Sequence, residues 1–447
     1  MDALTQALID THFGVSNGEL LVGGVGVCSL AEEFGTPSFL YDCAGFDKKL
    51  DQLRTALPSN FHVCYSVKAN PHSAVLRHFL SRGCGLEIAS VGEFNRGIEA
   101  GCAPDRMLFA GPGKTVAELE AVISAGIGEI HLESPTEANR VSSISRRLGV
   151  RTRVAIRVNP SSEAEGGAMR MGGRPTPFGI DEEILESILD KILPDDALEF
   201  RGIHIFLGTQ ILDARLLASQ YRHGLAIARR VATRAGAPIK RLDFGGGLGI
   251  PYFSHEKPLD LVELRLELEK VFREIEGDSA LSGTEFLVEP GRLLAGEAGI
   301  YLARVNDIKV SRGKKFLVLD GGMNHHLAAS GNLGQTIKRN YPVALMNKLK
   351  STPEEVVDVV GPLCTPLDTL ARGVTLPLAE IGDLFGIFQS GAYGLSASPI
   401  GFLSHRVPAE VFIAKGKASL APALPSAVPS QISSFEQTAV SANPRNL

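Results

Sequence analysis

The 447-residue chain has no Cys-x-x-Cys pair: its six cysteines stand singly at 28, 43, 64, 84, 102 and 364, with no cluster of Cys and His at ligand spacing. That argues against a disulfide scaffold and a zinc site, and no metal is expected. A long basic run is also missing. The 45 basic and 50 acidic side chains leave a formal charge of -5, so the footprint of a nucleic-acid partner is absent. No apolar run approaches the ~18 residues that span a bilayer, and Asp2 and Asp10 stand where a basic leader would lie. A cytoplasmic protein acting on small molecules, away from membranes, is expected. Hydrophobic residues at 44% and charged residues at 21% fit a globular enzyme. The length allows two or three domains at ~100–200 residues each.

Short apolar or β-branched runs recur at 62–67, 85–88, 107–109, 129–132, 153–158, 202–206, 241–244 and 285–288, most followed by a helix-like stretch. Alternating strand and helix predict a parallel sheet, and eight units over about 230 residues fit the size of a closed (β/α)8 barrel. An open doubly wound sheet is the competitor. The expected organisation is α/β: an N-terminal segment over 1–37, a barrel over 38–292 and a mostly β second domain over 293–415. Strand-like runs at 20–27 and 38–41 would pair with that second domain. A tail over 416–447, rich in Ala, Ser and Pro, is expected to be disordered.

Polar residues follow the strands: Lys68, Glu93, Asn159, Thr209, the glycines at 245–247, Glu289 and Arg292. In a (β/α)8 barrel these positions converge on one mouth. Lys68, directly after an apolar strand, would have its pKa lowered by desolvation and its amine freed for Schiff-base chemistry; in isolation it reads more readily as a solvated loop lysine, and its context decides for the site. Gly245, Gly246 and Gly247 let the backbone approach a phosphate, and their place after the seventh strand is the usual barrel phosphate position. Glu289 and Arg292, in Glu-Pro-Gly-Arg, put a carboxylate and a guanidinium at the same mouth. A carboxylate there suits a pyridinium nitrogen; the plainer reading is a surface ion pair of little worth. Cys364, between turn formers, is a candidate exposed acid, while the other five cysteines read as packing. Adjacent His325 and His326 on a strand would point to opposite faces, which argues against a metal pair.

These residues in this order resemble the fold-type III pyridoxal-phosphate decarboxylases, the family of diaminopimelate, ornithine and arginine decarboxylases, over about 38–413. The resemblance implies a TIM-like, alanine-racemase-like barrel followed by a β-sandwich or barrel domain, with pyridoxal 5'-phosphate as cofactor. It assigns Lys68 as the aldimine lysine, Thr209 and Gly245, Gly246 and Gly247 as phosphate ligands, and Glu289 as the pyridinium partner. Arg292 would lie beside phosphate and substrate, and Tyr393, in Gly-Ala-Tyr-Gly at 391–394, would contact the phosphate. Cys364 would return the proton after carbon dioxide leaves. Family members are homodimers, in which Cys364 and Asp368 would complete the partner's site.

The chain departs from the family pattern in two places. Phe206, in Phe-Leu-Gly-Thr, replaces the histidine that stacks on the cofactor ring, and an aromatic ring can still stack. Thr365 replaces the acidic residue that holds a substrate's distal ammonium. The segments 324–332 and 171–179 resemble instead a subgroup containing glutamyl-carrier-protein decarboxylases of antibiotic biosynthesis and decarboxylases associated with exosortase gene clusters. That subgroup implies an amino acid tethered to a carrier protein or otherwise derivatised. Three alternatives stand beside it: diaminopimelate decarboxylase acting on the free diamino acid in lysine biosynthesis, a pyridoxal-phosphate racemase, and a non-catalytic pyridoxal-phosphate-binding protein. The last is a single barrel, and the second-domain motifs count against it.

Overall fold

Inside–outside alternation organises the first half of the molecule. In Phe61–Ser66, Gly85–Ile88, Met107–Phe109 and Glu129–Leu132, residues such as Val63, Tyr65, Leu86, Ile88, Met107, Phe109, Ile130 and Leu132 belong to the large core shared with the surrounding helices. The intervening Cys64 and Leu108 instead join Leu287 in a small separate cluster. Because strand side chains alternate with period two, the second set faces the opposite side of the sheet. The structure, a computed structural model, describes residues 1–161, 169–170, 175–206 and 208–420. Within the expected tail, 421–447 lie outside the described residues, as do Met171, Gly172, Gly173 and Arg174 of the 171–179 segment and Leu207.

Parallel pairing runs from Phe61–Ser66 through the next three strands to Thr152–Asn159, Leu198–Ile205, Arg241–Asp243 and Glu285–Val288. Glu285–Val288 then pairs with Phe61–Ser66, which closes the ring into a (β/α)8 barrel. Phe61, Phe244, Phe272 and Phe286 pack together on the outer side, with Phe272 and Phe286 centroids 4.9 Å apart. Three barrel helices begin with the same device. Ser90, Thr115 and Ser134 each accept the N–H of a glutamate three residues on: Glu93, Glu118 and Glu137. Glu93, expected at the mouth, is therefore a capping residue, and its carboxylate also accepts the Ala89 N–H.

The second domain is a nine-stranded sheet. Ser38–Asp42 lies in it between Gly299–Ser311 and Ala409–Ala414, so this strand pairs with the second domain, and the barrel unit expected from 38 starts after it. The run at 20–27 divides into Glu19–Val22, Val25–Gly26 and the start of helix Val27–Phe34, and pairs within its own three-stranded sheet. That sheet docks through the Leu20 N–H on the Met346 carbonyl, and through a core joining Leu4, Leu8, Leu20 and Leu30 to Ile300 and Phe388. Lys417–Leu420, expected to be disordered, pairs with Ala409–Ala414. Thr369–Leu376 and Val343–Leu345 are strands without a sequence expectation. His325 sits in a turn and His326 directly after it, neither on a strand. Among the described residues no helix is long and apolar enough to cross a membrane.

Phe286, 3% exposed, tests the outer core. Phe286→Ala is expected to lower stability by about 3–5 kcal/mol in urea unfolding, whereas Val262→Ala at an exposed helix position should stay within about 0.5 kcal/mol.

Candidate active site

Lys68 occupies a one-turn helix, Val67–Ala69, at the end of the first barrel strand. Its Nζ donates to both oxygens of Glu87, at 3.2 and 3.1 Å, and Ser66 donates its hydroxyl to the same carboxylate. Half of the lysine's side-chain surface is open, while that of Glu87 is buried. The lowered lysine pKa expected from the sequence is not found. Burial acts in that direction, but the nearby Glu87 carboxylate, Tyr393 and Glu289 outweigh it, and the amine is held above its ordinary range. Glu87 is correspondingly lowered, its burial overcome by Lys68. The sequence reading passed over Glu87 because it lies within a strand, not after one.

The glycine run is fixed by crowding. Gly245 and Gly247 have φ of 64° and 93°, and a Cβ on Gly246 would lie 2.6 Å from the Glu289 carbonyl oxygen. One on Gly247 would lie 2.6 Å from the Gly208 carbonyl oxygen. The run is zipped to the Thr209 loop: Ile211 N–H donates to the Gly247 carbonyl, and Gly249 N–H to that of Ile211, both at 2.9 Å. Thr209 itself pairs with Met169 in a two-stranded ribbon. Phe206 lies beside this cradle, with the Arg157 guanidinium 5.7 Å from its ring centre. Arg157 is held by Glu133 at 2.7 Å, another pair that the strand-end reading missed.

Arg292 donates to the Tyr252 hydroxyl at 2.8 Å and stacks 4.6 Å from the Tyr393 ring centre. Tyr393 belongs to the second domain, yet its N–H donates to the Ala69 carbonyl at 2.7 Å, and Asn70 Nδ2 donates to the Gly391 carbonyl at 3.1 Å. The lysine's own turn thus anchors the 391–394 loop. Glu289 is buried, with His204 Nε2 3.3 Å from one oxygen and His131 Nδ1 3.9 Å from the other. Donor atoms of His131, His204 and Glu289 all lie within 4.8 Å of one another. Burial and then the charge of Glu87 push the Glu289 carboxyl up to about 7.

Cys364 is exposed on the loop after Glu355–Val360, and among the described residues no hydrogen bond joins it or Thr365 to Lys68. Asp368 differs from expectation. It is buried, its Oδ1 accepts the Met323 N–H at 2.7 Å and its Oδ2 the Leu363 N–H at 2.9 Å, so the carboxylate holds its own loop instead of standing free for substrate. His325 and His326 are packing residues: His326 contacts the Ser390 hydroxyl at 2.9 Å, and burial lowers both imidazoles, to about 4 and about 3. A cleft of about 900 Å³ lies at the opposite, N-terminal end of the strands between 55–60 and 281–286, away from all of these groups.

Fold and mouth together define a (β/α)8 barrel with a lysine amine, a glycine run and a buried carboxylate at one end. Residues 43–296 match the family described as pyridoxal-dependent decarboxylase, pyridoxal binding domain, and the chain belongs to that family. It is a pyridoxal-dependent decarboxylase. It is 35% identical to the L-glutamyl-[BtrI acyl-carrier protein] decarboxylase of Niallia circulans, over 88% of this chain and 92% of that protein. It is 32% identical to the diaminopimelate decarboxylase of Aquifex aeolicus, over 90% of this chain and 93% of that one. The diaminopimelate decarboxylase of M. jannaschii, solved with L-lysine, superposes with a TM-score of 0.85 at 25% identity, over 92% of this chain and 94% of that one.

Glu87→Gln removes the anion beside Lys68 and leaves burial to act. With Lys68 unmodified by cofactor, the midpoint pH for its acylation, followed by peptide mass spectrometry, should fall by at least about one unit, a tenfold change in the charged-to-neutral ratio. An unmoved midpoint would remove Glu87 from the account.

Proposed function

We propose that the enzyme decarboxylates an amino acid presented as a carrier-linked thioester or a similar derivative, using pyridoxal 5'-phosphate bound at Lys68. The observation that carries the cofactor reading is the conjunction of Lys68, a glycine cradle in which a Cβ on Gly246 or Gly247 would collide with backbone oxygens, and a buried Glu289 oxygen, Oε1, that lacks a hydrogen-bond partner. These residues fit the group: an amine for its aldehyde, backbone N–H groups for its phosphate and a carboxylate for its ring nitrogen. When bound, the cofactor supplies covalent capture of an amine and a protonated ring that takes up the electron pair left as carbon dioxide departs.

The chain's own groups do the rest. Glu87 holds the Lys68 amine in place whenever it is not joined to the cofactor. Gly245, Gly246, Gly247 and Thr209 would hold the phosphate with Tyr393 and Arg292, Phe206 would stack on the ring, and Glu289 would serve the ring nitrogen. The Cys364 thiol delivers a proton to the α-carbon and regains it from water. Its exposure on a second-domain loop is the observation that supports a homodimer in which Cys364 and Thr365 enter the partner's mouth. Asp368 sets the shape of their loop.

Thr365 favours the derivatised substrate. A hydroxyl hydrogen-bonds an amide or a thioester carbonyl but cannot neutralise an ammonium withdrawn from water. The relative named for a carrier-linked glutamate supports the same choice. Leaving an ammonium unpaired costs about 3–5 kcal/mol, roughly a hundred- to several-thousand-fold in specificity. Labelled carbon dioxide release should therefore show kcat/KM for a glutamyl thioester far above that for free meso-diaminopimelate, ornithine or lysine, with Thr365→Glu narrowing the gap. Equal turnover of free diaminopimelate by wild type would make diaminopimelate decarboxylase the better reading. Retention of the α-carboxylate while its stereochemistry is lost would make it a racemase.

The shared site has its own test. Inactive Lys68→Ala and inactive Cys364→Ala subunits, mixed under conditions of proven exchange, should recover activity, because one site of each hybrid holds both residues. No recovery would put both residues in the same subunit's site.

A further inference from the structure

Behind Glu289 the barrel interior is filled by charge. Glu129, His131, His204, Asp243 and Glu289 are each at most 5% exposed. His131 Nε2 lies 3.2 Å from Glu129 and 4.0 Å from Asp243, and its Nδ1 lies 3.9 Å from Glu289. Arg241 bonds Glu129 at 3.2 Å and reaches Glu285 at the rim at 2.8 Å. Register places Asp243 beside Leu287, one interior layer below Glu289. Its Oδ1 accepts the Gly245 N–H at 2.8 Å, while its Oδ2 has no hydrogen-bond partner, nor do His131 Nδ1 and Glu289 Oε1.

Charge counting restricts the protonation states. Lys68 serves Glu87, and Arg157 serves Glu133. Arg241, shared with Glu285, is the permanent cation in direct contact with the remaining group of Glu129, Asp243 and Glu289; Arg201 reaches Glu129, and Lys68 reaches Glu289, only through space. Three buried carboxylates against one shared guanidinium would be prohibitive, so the interior must hold further protons. One imidazole touched by three carboxylates is the natural cation, and one carboxyl must stay neutral.

Resting on the reading that Glu289 faces the ring nitrogen, we infer that His131 and Asp243 are its positioning pair. A cationic imidazole and a neutral carboxyl, set below Glu289, keep its carboxylate ionised toward the cofactor. The pKa directions agree with the geometry. Asp243 is driven far up by burial and then by the charge of Glu289. Burial opposes charging of His131, but its hydrogen bond to Glu129 and the charges of Glu129 and Glu289 act against that. His204, whose ring centre is 4.5 Å from that of His131, is driven well down by burial and by the His131 charge, so the two imidazoles divide into one cation and one neutral ring.

The test uses holoenzyme carrying pyridoxal phosphate labelled with 15N in the ring, whose chemical shift reads protonation independently of turnover. Wild type should show a protonated nitrogen at neutral pH. Glu289→Gln should convert it to the neutral form; if it does not, the reading of Glu289 itself fails. Given that conversion, His131→Gln should lower the protonated-to-neutral ratio at least about tenfold, one pKa unit. Asp243→Asn, which keeps a neutral N–H donor and the acceptor for Gly245, should disturb the signal less than Asp243→Leu. An unchanged signal in His131→Gln, or equal disturbance by the two Asp243 variants, would overturn the pair while leaving Glu289 in place. Should His131→Gln not fold, wild type with 15N-labelled histidine decides the matter: a buried, doubly protonated imidazole is required, and finding every buried imidazole neutral overturns the inference. A stoichiometric metal ion in the purified protein would overturn it as well, since a bound cation would then fill the role given to His131.

Discussion

Charge has to balance inside the barrel, and much else in the molecule follows from that. A parallel barrel strand is buried on both faces and ordinarily reads as an apolar run. Here Glu87, Glu129, His131, Arg157, His204, Asp243 and Glu289 line the interior instead, with Cys64, Leu108 and Leu287 as a small apolar cluster of their own. No single one of these charges is tolerable there. Three ion pairs hold part of this charge: Lys68 with Glu87 and Arg157 with Glu133 between adjacent barrel units, and Arg241 with Glu129 across the barrel. The register of the closed sheet is therefore an electrostatic requirement as well as a packing one. A slip by one residue would turn these charges into the outer core and the outer core's apolar side chains inward.

The same requirement explains how tightly the mouth is built. The Glu289 N–H donates to the Gly245 carbonyl at 2.7 Å, so the carboxylate and the glycine cradle share one backbone bond. Asp243 accepts the Gly245 N–H from below. The second domain is bonded to the mouth as well, since the Tyr393 N–H and the Gly391 carbonyl are both held by the turn that carries Lys68. A Cβ at Gly391 would lie 1.8 Å from the Ala295 carbonyl oxygen, so this crossing admits glycine alone. Lysine, cradle and second-domain loop are thus parts of one hydrogen-bonded structure.

Strand order, Lys68, the glycine run and Glu289 were legible because each combines a strong local pattern with a position next to a strand. Glu87, His131, Arg157 and Asp243 lie within strands, where no turn or glycine run marks them. Their signal was present: Leu-Glu-Ile at 86–88, Glu-Ile-His-Leu at 129–132 and Leu-Asp-Phe at 242–244 each place an ionisable residue at alternate positions of an otherwise apolar strand. In a sheet buried on both faces that pattern marks a polar interior. Asp368 was misjudged for a different reason. Its two backbone N–H donors come from Met323 and Leu363, and the Met323 contact spans 45 residues, which no local motif announces. The lysine's raised pKa depended likewise on Glu87, which lies 19 residues away in sequence and within hydrogen-bonding distance in space.

A division of labour between the domains follows from these constraints. Inside the barrel, a change at one charged position leaves its partner unpaired, so the residues that would serve the cofactor are bound to one another and cannot vary singly. The 361–368 loop is under no such restriction at Cys364 and Thr365. Asp368 fixes its path through backbone N–H groups, which any residue at 323 or 363 except proline provides, while Cys364 itself is exposed. The loop can therefore exchange a carboxylate for a hydroxyl at 365 without disturbing the charge balance of the barrel. On the proposed reading, in which this loop meets the substrate, preference can change there while the apparatus around Lys68 stays as it is.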